Sequence, residues 1–118
     1  MLFEDNVDLI VTIVKKGWGD EVLKATKNAG AEGGTIMYGR GIGIHEKNTI
    51  LGMMIQPEKE VVLTVIVNDK TDDVLKALVE GVGLDRPGMG LAFAIPLDKV
   101  IGRIHKCVKV GDVEICEP

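Results

Sequence analysis

The segment Val61-Val62-Leu63-Thr64-Val65-Ile66-Val67 is the clearest β-strand in the chain, and the elements on either side of it indicate the fold. A run of β-branched residues and leucine without glycine or proline is typical of a strand buried on both faces. Thr71 or Asp72 can cap a following helix, because apolar residues then recur at helical spacing until Gly81. Residues 91–95 (LAFAI) predict a further strand. This half of the chain therefore predicts the order strand, helix, strand.

The same order precedes the segment. Residues 7–14 (VDLIVTIV) predict a first strand that is buried on most of both faces. Asp20 can cap a helix that ends at Gly30, and residues 34–38 predict a short strand bounded by glycine. At the other end of the chain, residues 96–100 are expected to form a short helical turn.

Together these elements predict an α+β fold, the ferredoxin-like βαββαβ sandwich, in which two helices cover one face of a four-stranded antiparallel sheet. The 118 residues suffice for a single domain over 1–118 with its own core. No further element is available to cover the second face, although the first and third strands are apolar on both faces. We therefore predict self-association, sheet against sheet, as a homo-oligomer.

Composition and charge exclude several classes of protein. The net charge of −4 and the lack of a basic stripe argue against nucleic-acid binding. Apolar runs are strand-length, so no membrane insertion is expected, and residues 1–6 lack a signal-peptide pattern, which favours a cytoplasmic protein. Cys107 and Cys116 fit no common zinc motif and are expected to be free thiols. No nucleophile–base set or P-loop lysine is present, so the chain is not expected to be an enzyme.

Two glycine-rich segments are the candidate ligand-binding loops. They are residues 33–43 (GGTIMYGRGIG) and residues 84–90 (LDRPGMG). Glycine allows a backbone to approach a ligand closely and to direct its N–H groups at an anion. Arg40 and Arg86 suit phosphate or carboxylate. The same glycines could instead serve only tight turns and a β-bulge.

In this order the elements resemble the PII signal-transduction superfamily, the nitrogen regulatory protein P-II-like proteins, over residues 7–106. The resemblance rests on Gly33-Gly34-Thr35, on Gly39-Arg40-Gly41-Ile42-Gly43, and on the Gly88-Met89-Gly90 turn after the second helix. It implies a T-loop at about 43–60, a B-loop at about 82–90 and a C-terminal tail at 102–118. The chain would be a divergent member with a short T-loop.

The resemblance implies a cytoplasmic homotrimer that binds an adenine nucleotide (ATP, ADP or AMP), or a similar small anion, in clefts between subunits. Such a protein controls a partner, a membrane transporter or a metabolic enzyme, through its T-loop. The apolar residues Met53, Met54 and Ile55 would meet that partner. The residues expected to bind the ligand are Thr35, Gly39, Arg40, Gly41, Gly43, Arg86, Gly88, Met89, Gly90 and Arg103.

The chain departs from the family pattern at positions that contact phosphate in typical members. Met89 and Leu91 stand where those members have an acid and a lysine, so Arg86 would have to supply the charge. No tyrosine or serine occurs between Gly39 and Glu60, which argues against modification of the loop at such a residue. No glutamine matches the one that helps bind Mg-ATP and 2-oxoglutarate in the family.

Two alternatives stay open. One is a ferredoxin-like trimer that binds a divalent metal through His45, Glu46 and the tail cysteines; separately, those cysteines and His105 could form a metal or redox site in the tail. The other is an interaction scaffold without a ligand. No metal site is assigned from the sequence.

Overall fold

Four strands form one antiparallel sheet, as the sequence predicts. The computed structural model describes residues 3–4, 6–43, 49–50, 52–54, 57–102 and 107–116. The strands are β1 (Val7–Lys15), β2 (Thr35–Arg40), β3 (Glu58–Val67) and β4 (Gly90–Leu97). They lie in the order β2-β3-β1-β4. With helices α1 (Gly19–Asn28) and α2 (Thr71–Val82) against one face, they confirm the ferredoxin-like fold.

The core lies between the helices and one face of the sheet. Side chains alternate across a strand, so every second residue of β1 and β3 faces the helices. Ile10 and Val62 are fully buried on the strands, and Val22 and Leu78 meet them from α1 and α2. Within the described residues, neither helix has the length and hydropathy needed to span a bilayer.

The helices begin at contacts distant in sequence. The N–H of Gly19 donates to the Glu60 carboxylate at 2.6 Å, so Asp20 lies in the first turn of α1 instead of capping it. Because the N-terminal N–H groups of a helix lack partners within it, this carboxylate satisfies one of them. The hydroxyl of Thr71, the first residue of α2, donates to Asp8 Oδ2 at 2.7 Å.

The end of α2 and the segment after β4 both differ from prediction. Helix α2 continues through Gly81 to Val82, and the left-handed residue that ends it is Gly83 (φ +78°). The prediction of a helical turn at 96–100 is wrong. Strand β4 continues to Leu97, and Val100–Ile101 pairs antiparallel with Phe3–Glu4. A turn predicted from local sequence is replaced here by pairing with the N-terminus.

Two short hairpins complete the described structure. Thr49–Ile50 pairs with Met53–Met54 inside the predicted T-loop, and β3 begins just after it at Glu58. Cys107–Val110 pairs with Val113–Cys116 in the C-terminal tail. The C-terminal tail therefore contains a β-hairpin of its own.

The face of the sheet opposite the helices is apolar and is called the uncovered face below. The strand register aligns its side chains in rows, for example Met37, Val61, Ile13 and Leu91 across all four strands. Leu91 is 53% exposed, and Val65, Phe93 and Ile95 are also exposed. The members of this face are Leu9, Val11, Ile13, Met37, Val61, Leu63, Val65, Leu91, Phe93 and Ile95.

Candidate functional site

The two glycine segments meet in one cleft at one end of the sheet. There β2 ends, β3 begins, β1 ends and β4 begins, so that the loops leaving these strands are neighbours. The cleft has a volume of about 570 Å³. We call it the glycine cleft, and its lining residues are Ile13, Val14, Lys15, Gly39, Arg40, Gly41, Ile42, Gly43, Lys59, Val61, Gly88, Gly90 and Leu91.

Gly90 is required where β4 enters the cleft. Its φ is +127°, a conformation that residues with side chains rarely adopt. A Cβ at this position would also overlap the carbonyl oxygen of Ile13 on the neighbouring strand. The second glycine segment therefore approaches β1 more closely than any other residue type would permit.

The cleft is cationic although the chain as a whole is acidic. Lys15, Arg40 and Lys59 line it, and none of its described lining residues is Asp or Glu. The register places Lys15 directly opposite Lys59 on adjacent strands. An anion held between two cations at such positions is attracted to both of them. Glycine segments of this type can direct backbone N–H groups at an anion, although the N–H of Gly41 already donates to the carbonyl oxygen of Pro57 at 3.1 Å.

Glu58, which is opposite Arg40 in the sheet, carries an acidic side chain that is engaged in an ion pair beside the cleft. The Glu58 carboxylate accepts a hydrogen bond from Lys16 Nζ at 2.7 Å, in a pair exposed to solvent. That hydrogen bond, and the charge attraction with it, lowers the pKa of Glu58 and raises the pKa of Lys16. Arg40 lowers the pKa of Glu58 further. The carboxylate thus stays ionised and paired at neutral pH.

Thr35 lies in a second depression, at the opposite end of β2. This depression, the Thr35 groove, has a volume of about 290 Å³ and includes residues 30–35, Val65 and Lys70. Thr35 lies five positions before Arg40, which corresponds to about 17 Å along an extended strand. Within a single subunit, Thr35 is therefore too far from the glycine cleft to line it.

Arg86 lies outside the glycine cleft. Its guanidinium packs over Gly83, where even a methyl group on Gly83 would overlap it. This position is the C-terminal end of α2, where the helix dipole favours a cation. Met89 is half-buried in the same loop and does not line the cleft either.

The remaining predicted site residues are only partly described. Met53 and Met54 lie on one arm of the T-loop hairpin. Arg103 and Ile55 lie outside the described residues, as do His45 and Glu46 of the metal alternative. Among the residues that the structure describes, no group of three or more His, Cys, Asp or Glu could hold a metal ion.

Sequence reasoning missed Lys15 and Lys59. Lys15 follows one apolar run and Lys59 precedes another, as lysines at strand ends commonly do, so neither residue alone suggests a binding site. Their significance comes from the pairing of β1 with β3. A predicted register for the two strongest strands could have placed the two lysines together, since those strands are antiparallel neighbours in the predicted fold.

These observations define a class of protein: a ferredoxin-like sandwich with a cationic, glycine-lined cleft at one end of its sheet. The family model of the nitrogen regulatory protein P-II matches residues 7–105. The chain therefore belongs to the P-II family, whose members are regulatory signalling proteins.

A solved structure agrees with this assignment at the level of the fold. The crystal structure of Arabidopsis thaliana PII bound to citrate matches with a TM-score of 0.64 and 22% sequence identity, over 84% of each chain. No curated protein sequence matches the chain. The resemblance inferred from the ordered glycine segments is thus confirmed by the family match.

Proposed function

We propose that this P-II family protein is a trimeric regulator that binds an adenine nucleotide, or a similar small polyanion, between adjacent subunits. The observation that carries the proposal is the glycine cleft, where segments some distance apart in sequence meet around three cationic side chains. The ligand's phosphates would lie between Lys15, Arg40 and Lys59. The backbone N–H group of Gly88 would also donate to its oxygens, whereas that of Gly41 already donates to the carbonyl oxygen of Pro57.

Self-association through the uncovered face would complete the site. Trimers are typical of the P-II family. A contiguous apolar face of this extent is unusual on a monomer and favours association. Stacking the sheets of neighbouring copies would bring the Thr35 groove of one copy towards the glycine cleft of the next. The hydroxyl of Thr35 could then contact the base of a nucleotide whose phosphates lie in the neighbouring cleft.

The T-loop would carry the signal to a partner, a membrane transporter or a metabolic enzyme. It leaves β2 at Arg40, directly from the cleft, and returns to β3 at Glu58. A ligand that contacts Gly41 and Gly43 prefers some loop conformations to others, and only that preference can shift the loop population. The hairpin bearing Met53 and Met54 would thereby be presented to the partner or withdrawn from it.

Titration calorimetry with AMP, ADP and ATP, each with and without Mg²⁺, tests the proposal. Arg40→Ala and Arg86→Ala form a matched pair, because both remove one exposed positive charge but only Arg40 lines the cleft. A lost hydrogen bond to a charged group costs about 1.5–3 kcal/mol, so Arg40→Ala should weaken binding about tenfold or more. Arg86→Ala should retain near-wild-type affinity.

Two further ligands separate the parts of the site. Citrate and tripolyphosphate carry the negative charge but no base. If either binds as tightly as the preferred nucleotide, the cleft is an anion site without nucleotide selectivity. No binding of any nucleotide, citrate or tripolyphosphate to the folded protein would reject the proposal. Wild-type affinity of the Arg40→Ala variant would show that the phosphates do not lie in the glycine cleft.

A further inference from the structure

The two cysteines of the chain lie directly opposite each other in the C-terminal hairpin. Cys107–Val110 pairs with Val113–Cys116, and the register joins Cys107 with Cys116. The turn between the strands is Gly111-Asp112, with Gly111 at φ +64°. A two-residue turn with glycine first is a standard connection for an antiparallel hairpin, so the register is fixed by the turn.

The type of pairing at the cysteines follows by counting from the turn. In a two-residue turn, the flanking residues, here Val110 and Val113, form a hydrogen-bonded pair. Antiparallel pairs alternate between hydrogen-bonded and non-hydrogen-bonded. The cysteines are the third pair beyond the closing one, and are therefore a non-hydrogen-bonded pair. At such pairs the Cα atoms are about 4.5 Å apart, which is within the range that a disulfide spans.

We propose that Cys107 and Cys116 are a redox-active dithiol that forms an intramolecular cross-strand disulfide. The oxidant is a small-molecule disulfide such as oxidised glutathione. One cysteine thiolate attacks it, forms a mixed disulfide and releases one glutathione thiol. The second cysteine thiolate then attacks the protein sulfur and releases the other. Two electrons and the two thiol protons pass from the cysteines to the two departing glutathione molecules.

The disulfide would control the order of the hairpin. Two strands of four residues each are marginally stable in water without further support. A covalent bond at the open end, opposite the turn, removes the conformations in which the strands separate. Oxidation therefore converts a marginal hairpin into a closed one.

The test uses the full chain equilibrated in glutathione buffers of graded potential, quenched with acid and alkylated with N-ethylmaleimide. Intact mass should show one transition, from a doubly alkylated chain to an unalkylated chain lighter by two hydrogen atoms. Hydrogen exchange over residues 107–116 should be several-fold slower in the oxidised form. Cys107→Ser and Cys116→Ser should each give only a single mixed disulfide with glutathione.

A variant in which one cysteine is moved by one residue tests whether disulfide formation depends on the strand register. Cys116→Ser combined with Ile115→Cys keeps nearly the same sequence spacing but moves one cysteine to the other face of the hairpin. Its intramolecular disulfide should form only at a clearly more oxidising potential. An equal potential for the displaced pair would overturn the proposal. So would a wild-type chain that accumulates glutathione on both cysteines, or links to another chain, without forming the internal bond.

Discussion

The two faces of the sheet have similar apolar composition but different surroundings. Along β1, Ile10 and Val14 are buried beneath the helices, whereas their neighbours Leu9, Val11 and Ile13 are only half-buried on the uncovered face. Side chains of the same types thus experience a closed core on one side and solvent on the other. Because apolar residues on a solvated sheet face are costly, the difference supports the proposed self-association through the uncovered face.

The helix-covered face should be the more sensitive to truncation. Leu78→Ala removes a fully buried side chain of α2 and should lower the free energy of unfolding by about 2–5 kcal/mol. The next residue supplies the control, because Val79 is 41% exposed and Val79→Ala should have little effect. Chemical denaturation followed by circular dichroism measures both. Similar losses at the two positions would contradict a core that lies between sheet and helices.

A lysine introduced on the uncovered face, compared with one introduced on α2, tests whether another copy of the chain covers the uncovered face. Val65 on the uncovered face and Val79 on α2 have the same exposed fraction, 41%. Val65→Lys should dissociate the proposed oligomer into monomers, because an ammonium group would be buried among apolar side chains. Val79→Lys should leave it intact. Sedimentation velocity distinguishes the species, and an oligomer that survives Val65→Lys would show that association uses another surface.

A smaller change in the free energy of unfolding is expected when a buried hydroxyl group on the helix-covered face is removed. Thr64 is fully buried on the helix-covered face, and its hydroxyl has no hydrogen-bond partner among the described residues. Thr64→Val keeps the shape and removes a buried polar group, so unfolding should cost about 1 kcal/mol more. Thr71→Val is the matched control and should destabilise, because it removes the hydrogen bond to Asp8. If Thr64→Val also destabilises, the Thr64 hydroxyl has a partner in solution.

The hydrophobic pattern was sufficient to predict the main elements of the fold. Four strands and two helices were predicted in the correct order because Val, Ile and Leu recur with the periods of each element. Their ends were predicted less well. The start of α1 depends on Glu60, which is 41 residues away, and Val100–Ile101 depends on pairing with Phe3–Glu4. Contacts of this range leave no local signal.

The glycine loops were predicted for the same reason as the strands, since their composition is local. Their assembly into one cleft follows from the predicted topology. The charge of the cleft was predicted only in part. Arg40 lines it, but Arg86 packs against the end of α2, and Lys15 and Lys59 become neighbours only through the register. Side chains that meet by strand pairing are recognised only when the pairing is known.

One consequence follows from the placement of Thr35 and Arg40 at opposite ends of β2. In the proposed ring each binding site takes one end from each of two neighbouring copies. A subunit damaged only at Thr35 and a subunit damaged only at Arg40 would each fail when assembled alone. Mixed rings would nonetheless contain an intact site wherever the undamaged ends meet, so the two defective chains would complement each other. Cells that co-express a chain damaged at Thr35 and a chain damaged at Arg40 would therefore regain part of the ligand binding that each chain lacks alone.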